Sequence, residues 1–115
     1  MFYLGKCHEG DYEISYYCCN GQEFQEPNFY WVISDQPTSL VHVEDSPEPP
    51  ENAIKLGYEK DFETGDELPA YSVIAKTERG KIPGKVLGDG SNIAWVPIGG
   101  ETATEDFCWI VVEEE

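Results

Sequence analysis

Apolar residues in this chain come in short runs of about five to seven, rich in Tyr, Val, Ile and Trp and broken by glycine-rich turn signals. No stretch carries the 3.6-residue period of an amphipathic helix. The pattern predicts strands over Phe2–Lys6, Glu13–Cys19, Phe29–Ser34, Ser39–Glu44, Ala53–Tyr58, Ala70–Lys76, Asn92–Val96 and Phe107–Glu113. Hairpin signals stand between them at Asn20-Gly21, Thr64-Gly65-Asp66, Arg79-Gly80, Gly88-Asp89-Gly90 and Gly99-Gly100. Regular short strands with such turns imply an all-β, β-sandwich-like fold. At 115 residues the chain is long enough for one domain with a modest core.

The two halves end alike. Phe29-Tyr30-Trp31-Val32-Ile33 returns as Phe107-Cys108-Trp109-Ile110-Val111. Lys6 and Gly10 recur 70 residues on as Lys76 and Gly80, whereas Trp31 recurs 78 residues on as Trp109. The first copy is therefore shorter by eight residues, at the place where the second has Ile82-Pro83-Gly84-Lys85-Val86. A period near 70 is too long for a solenoid and suits two pseudo-symmetric repeats sharing one core. The expected layout is a partial first repeat over 1–45, a Pro-rich connector over 46–52 and a second repeat over 53–115. The connector, Ser46-Pro47-Glu48-Pro49-Pro50-Glu51, reads as extended and solvated.

Charge removes several partner classes. The net charge of −16 leaves no basic surface to displace counterions from phosphates, so no nucleic acid is expected. It equally disfavours an anionic membrane surface. Six of the seven basic residues nonetheless fall between Lys55 and Lys85. No apolar run approaches transmembrane length, and Met1-Phe2-Tyr3-Leu4-Gly5-Lys6 reads as a strand and not as a secretion leader. The expected location is the cytoplasm, with Cys7, Cys18, Cys19 and Cys108 as reduced thiols.

Most motifs fail on spacing. Gly80-Lys81-Ile82-Pro83-Gly84-Lys85 is one residue short of a phosphate loop, and Val86 stands where a Mg²⁺-binding hydroxyl is needed. It reads as a tight turn with an exposed lysine. His8, with Cys7, Cys18 and Cys19 nearby, matches no zinc spacing. A Cys–His nucleophilic pair drawn from Cys18 or Cys19 with His8 or His42 lacks an orienting third group. Asp61, Glu63, Asp66 and Glu67 surround Gly65 as in a calcium loop, but the glycine falls at the fifth position and the twelfth is Ser72. A looser calcium site there stays open, against a solvated acidic hairpin tip. The residues imply no enzyme and no cofactor.

Glu59 and Lys85 are the strongest candidate pair. Each follows a glycine, in Gly57-Tyr58-Glu59 and Pro83-Gly84-Lys85. Glycine lets the backbone bend and approach a ligand closely. A carboxylate accepting and an ammonium donating can grip vicinal hydroxyls, with Tyr58 or Trp95 as an apolar face. The alternative is a surface ion pair worth little.

Pro49-Pro50-Glu51-Asn52-Ala53-Ile54-Lys55-Leu56-Gly57-Tyr58-Glu59, then Ile82-Pro83-Gly84-Lys85-Val86, then Trp95-Val96-Pro97-Ile98-Gly99-Gly100-Glu101 and an aromatic–aliphatic closing strand resemble the DM-nine repeat family. The resemblance spans about Pro49–Val112, and Phe2–Asp11 looks like a remnant of a preceding repeat. It implies an all-β tandem-repeat lectin that binds mannose-type sugars, acts in innate recognition and forms dimers. The sugar-binding acid and lysine of the family fall on Glu59 and Lys85. The chain has Glu for the family's Asp, and Glu101-Thr102-Ala103 for its Lys-Glu-His. The expectation is one mannose-type site per chain at Glu59, Lys85, Tyr58 and Trp95, with a possible homodimer. An acidic protein–protein interaction module without sugar binding is the alternative.

Overall fold

A computed structural model describes residues 5–8, 10–19, 22–29, 36–60, 64–98 and 100–113. Among these residues the chain is all-β with no helix, and its strands form two sheets packed as a β-sandwich-like unit. None of it is a helix long and apolar enough to cross a membrane.

The smaller sheet comes from the first part of the chain. It joins β1 (Lys6–His8), β2 (Asp11–Cys19) and β3 (Gln22–Glu26) in that order. Cys19 pairs with Gln22, and Tyr17 stacks on its partner Phe24 at 5.3 Å.

The larger sheet has seven strands: β4 (Thr38–His42), β5 (Lys55–Lys60), β6 (Glu67–Thr77), β7 (Gly80–Leu87), β8 (Ala94–Val96), β9 (Thr102–Thr104) and β10 (Phe107–Val112). Its order is β4-β10-β6-β7-β8-β9, with β5 also paired to β6. The eleven-residue β6 is its spine. One edge of β6 meets β5 over Glu67–Tyr71 and β10 over Val73–Ala75, while the other meets β7 along its length.

Alternation along the strands decides which face is buried. Register puts Trp109 opposite Val73, Phe107 opposite Ala75, and Tyr71, Val86 and Ala94 in one row, so these side chains share a face. That face carries the main apolar cluster: Val73, Ala75, Val86, Ala94, Val96, Phe107, Trp109 and Val111. Phe107 and Tyr71 meet the Trp109 ring edge-on at 5.0 and 5.7 Å. The quadrupoles of aromatic rings favour this arrangement.

The sequence expectations hold in outline and differ in places. Three strands were not anticipated: β3, β7 and β9. The Pro-Gly-Lys segment, expected as a turn, lies inside β7. Proline lacks a donor for a sheet ladder, and Pro83 sits where this costs little, since β8 pairs with β7 only at Lys85 and Val86. The Pro-rich segment is exposed at Pro47, Glu48, Pro49 and Glu51, as expected of a solvated connector, and it is also pinned. Trp109 Nε1 donates to the Ser46 carbonyl at 2.9 Å, Asn92 Nδ2 donates to the Pro47 carbonyl, and Asn52 Nδ2 donates to the Val112 carbonyl at 2.7 Å. The strand expected over Phe29–Ser34, with Trp31, falls outside the described residues except for Phe29, as do Phe2–Leu4 of the first expected strand.

Candidate functional site

Glu59 and Lys85 stand on different strands but on one face of the larger sheet. Two local features put them there. In β5, Lys55 pairs with Tyr71 but Tyr58 pairs with Pro69, so β5 carries one extra residue. Gly57, with φ of 70°, takes the left-handed conformation that such a bulge needs. The bulge resets the alternation, and Glu59 comes opposite Leu68. Leu68, Ala70 and Ser72 share a face of β6, and Ser72 pairs with Lys85.

The second feature is Gly84. A Cβ there would stand 2.8 Å from the Trp95 carbonyl oxygen and 3.0 Å from Val96 Cγ2. Only glycine lets β8 approach β7 this closely beside Lys85.

The two side chains meet. Lys85 Nζ lies 2.8 Å from Glu59 Oε1 and 2.7 Å from Oε2. It also donates to the Cys18 carbonyl of β2, at 2.5 Å. The lysine therefore links the larger sheet to the smaller one. Lys85 is 2 % exposed, Glu59 6 % and Cys18 1 %. This is neither the exposed lysine on a turn nor the surface ion pair that spacing alone suggested. Glu59 Oε2 is buried and, despite its short distance to the ammonium, has no hydrogen bond of acceptable direction.

Glu101 completes the cluster. Burial pushes the Glu59 carboxyl above its ordinary range; Lys85 opposes this through its hydrogen bond and charge, and Glu101 adds to it by repulsion. Burial also pushes the Cys18 thiol far up, with Lys85 opposing and the hydrogen-bonded Glu101 and nearby Glu59 reinforcing. Lys85 and Glu59, with the Cys18 thiol and Glu101 beside them, thus gather where β2 meets the larger sheet.

The expected aromatic partners separate. Trp95 pairs with Lys85, so it shares that face, and it is half-buried. Tyr58 neighbours Glu59 along β5 and points to the opposite side, 46 % exposed, with Lys55 Nζ at 5.8 Å from its ring centroid. Tyr58 therefore does not join the pair.

Sequence reasoning missed Cys18 and Glu101 as members of this cluster. Cys18 contributes through its backbone carbonyl, which no side-chain pattern announces. Glu101 carried a signal, because it follows the glycine pair after β8.

The other candidates scatter. His42 Nδ1 accepts from the Glu44 amide at 3.1 Å, which leaves Nε2–H to donate to Asp106 Oδ1 at 2.8 Å. His42, Val43, Glu44, Glu105 and Asp106 line an open groove of about 400 Å³. Cys18 and Cys108 are free thiols. The side chains of His8 and Cys19 lie outside the described residues, as do Asp61 and Glu63 of the acidic tip. Among the described residues no group of three or more His, Cys, Asp or Glu is placed to hold a metal ion.

No protein-family model, curated protein or solved structure matches the chain.

Proposed function

We propose that the chain is a non-catalytic carbohydrate-binding module for mannose-type sugars, with one site centred on Glu59 and Lys85. The observation that carries this reading is their convergence. A carboxylate and an ammonium from separate strands meet at 2.7–2.8 Å, and one buried carboxylate oxygen keeps an unused acceptor capacity. Trp95 on the same face supplies an apolar ring. Vicinal sugar hydroxyls donate to such a carboxylate, accept from such an ammonium, and lay their C–H face on such a ring. Tyr58 drops out of the site on this reading.

Saturation-transfer NMR with methyl α-mannoside tests it. Transfer is expected for the wild type and is lost in the paired substitution Glu59→Leu/Lys85→Met, which replaces both charges by apolar groups of similar size. Absence of transfer to the wild type, or its persistence in the double variant, overturns the assignment. The homodimer belongs to the same reading, and a one-chain mass by light scattering at micromolar concentration removes it.

A second reading has its own observation. Lys85 and Glu59 are closed to solvent, whereas the groove at His42, Glu44, Glu105 and Asp106 is open and acidic. This favours an acidic protein–protein interaction module in which the ion pair only holds the sheets together. Capture of basic partners that weakens with salt supports it, and capture indifferent to salt argues against it.

A further inference from the structure

We propose that the β1–β3 sheet is a lid over the Glu59–Lys85 pair, with the Cys18 carbonyl occupying on Lys85 the place that a ligand oxygen takes when the lid opens. The inference rests on the carbohydrate reading for the identity of the ligand, and on the structure alone for the lid.

Three observations carry it. The first is where the apolar cluster lies. Among the described residues all of its buried members come from β6, β7, β8 and β10 and none from β1–β3, whose one buried apolar side chain is Cys18. The larger sheet therefore keeps its core when the smaller sheet moves. Segments that share few apolar contacts with the core open at lower free energy than the core itself.

The second is the chemistry at the join. Cys18 O, Lys85, Glu59 and Glu101 are polar, and a hydrogen bond from an ammonium to a carbonyl exchanges readily for one to a sugar hydroxyl. Apolar packing offers no such exchange, because its loss exposes surface to water with nothing in return.

The third is occlusion. Lys85 at 2 % and Glu59 at 6 % exposure admit no ligand while the Cys18 carbonyl is seated on the ammonium. A site built from these two residues needs this strand to leave. Trp95 shares the face from which it would leave.

The Cys18 thiol reports the motion. It is 1 % exposed when the sheets are together and becomes reachable when they part. The experiment is alkylation of Cys18 in a Cys19→Ser background, resolved by peptide, alongside amide exchange at Val73, Val86 and Trp109. The opening constant at Cys18 is expected to exceed that of the core amides by about a hundredfold or more, with a shallower denaturant dependence because less surface is exposed. Equal opening constants at Cys18 and at the core amides overturn the lid. With saturating methyl α-mannoside, Cys18 alkylation is expected to speed up several-fold in the wild type, whereas Glu59→Leu/Lys85→Met does not respond to the sugar. Sugar binding that leaves Cys18 alkylation unchanged also overturns the lid. If Cys18 opens ahead of the core but no sugar binds, the lid stands and the carbohydrate assignment falls.

Discussion

The two faces of the larger sheet are built by different rules. One face carries Val73, Val86, Val96, Phe107 and Trp109, which interlock without charge. The other carries Glu59, Ser72, Lys85 and Trp95 beside Leu68 and the buried Ala70, and β2 reaches it through a lysine–carbonyl bond. Apolar packing is close to all-or-none, since a void forfeits contacts that nothing replaces. A polar join can change partners if each new partner satisfies the same donors and acceptors. The first face suits holding a fold together, and the second is able to exchange one hydrogen-bond partner for another.

The largest effects should fall where either face is broken outright. Trp109→Ala removes the ring that Phe107 and Tyr71 contact, along with the bond to Ser46. It should cost about 3–5 kcal/mol in denaturant unfolding. Lys85→Met alone leaves a buried carboxylate without its cation and should cost about 3–5 kcal/mol as well. The faces part company in the rescue. Glu59→Leu added to Lys85→Met should recover most of that loss, while no single addition restores Trp109→Ala. If the double variant is as unstable as the sum of its parts, the polar face is not the exchangeable one.

Gly84→Ala tests the geometry that brings β8 beside Lys85. A methyl 2.8 Å from the Trp95 carbonyl must push the strands apart, at about 1–3 kcal/mol. The Lys85–Trp95 pairing should loosen while the Trp109 environment, followed by near-ultraviolet dichroism, stays as it was.

Acid sharpens the contrast by sign. Burial raises the Glu59 carboxyl above 4.5 in the folded chain, so the folded state binds the proton more tightly than the unfolded one. This contribution is fully present below the unfolded value and is lost as the pH rises through the folded one. The stability of the wild type relative to Glu59→Gln should therefore grow as the pH falls from 7 toward 4. Taking the difference removes the general repulsion of an acidic chain, which both proteins share. A difference that shrinks on acidification contradicts the assignment of Glu59 as a buried, destabilised carboxylate.

The smallest effect is expected at the open groove. His42 and Asp106 are substantially exposed, and His42→Ala should cost less than about 1 kcal/mol.

Much of this was legible beforehand. Alternation and turn residues announced an all-β chain, and β2, β6 and β10 lie close to where the pattern put them. Gly57 and Gly84 pointed to Glu59 and Lys85 because each glycine meets a backbone requirement that only glycine meets. The failures have physical causes. Pro83 and Gly84 are turn residues by propensity, and β7 runs through them because β6 pairs with it on one side while β8 leaves Pro83 free on the other. Tyr58 was placed beside Glu59 by sequence adjacency, yet neighbours on a strand face opposite ways. The burial of the ion pair could not be read at all, because the β2 carbonyl that seals it is a backbone atom.

The most direct measurement follows amide chemical shifts as methyl α-mannoside is added. Shifts should concentrate at Cys18, Glu59, Lys85, Trp95 and Glu101, with Val73, Val96, Phe107 and Trp109 unmoved. Shifts centred on His42, Glu44 and Asp106, shifts spread over the apolar face, or no shifts at millimolar sugar would contradict the account.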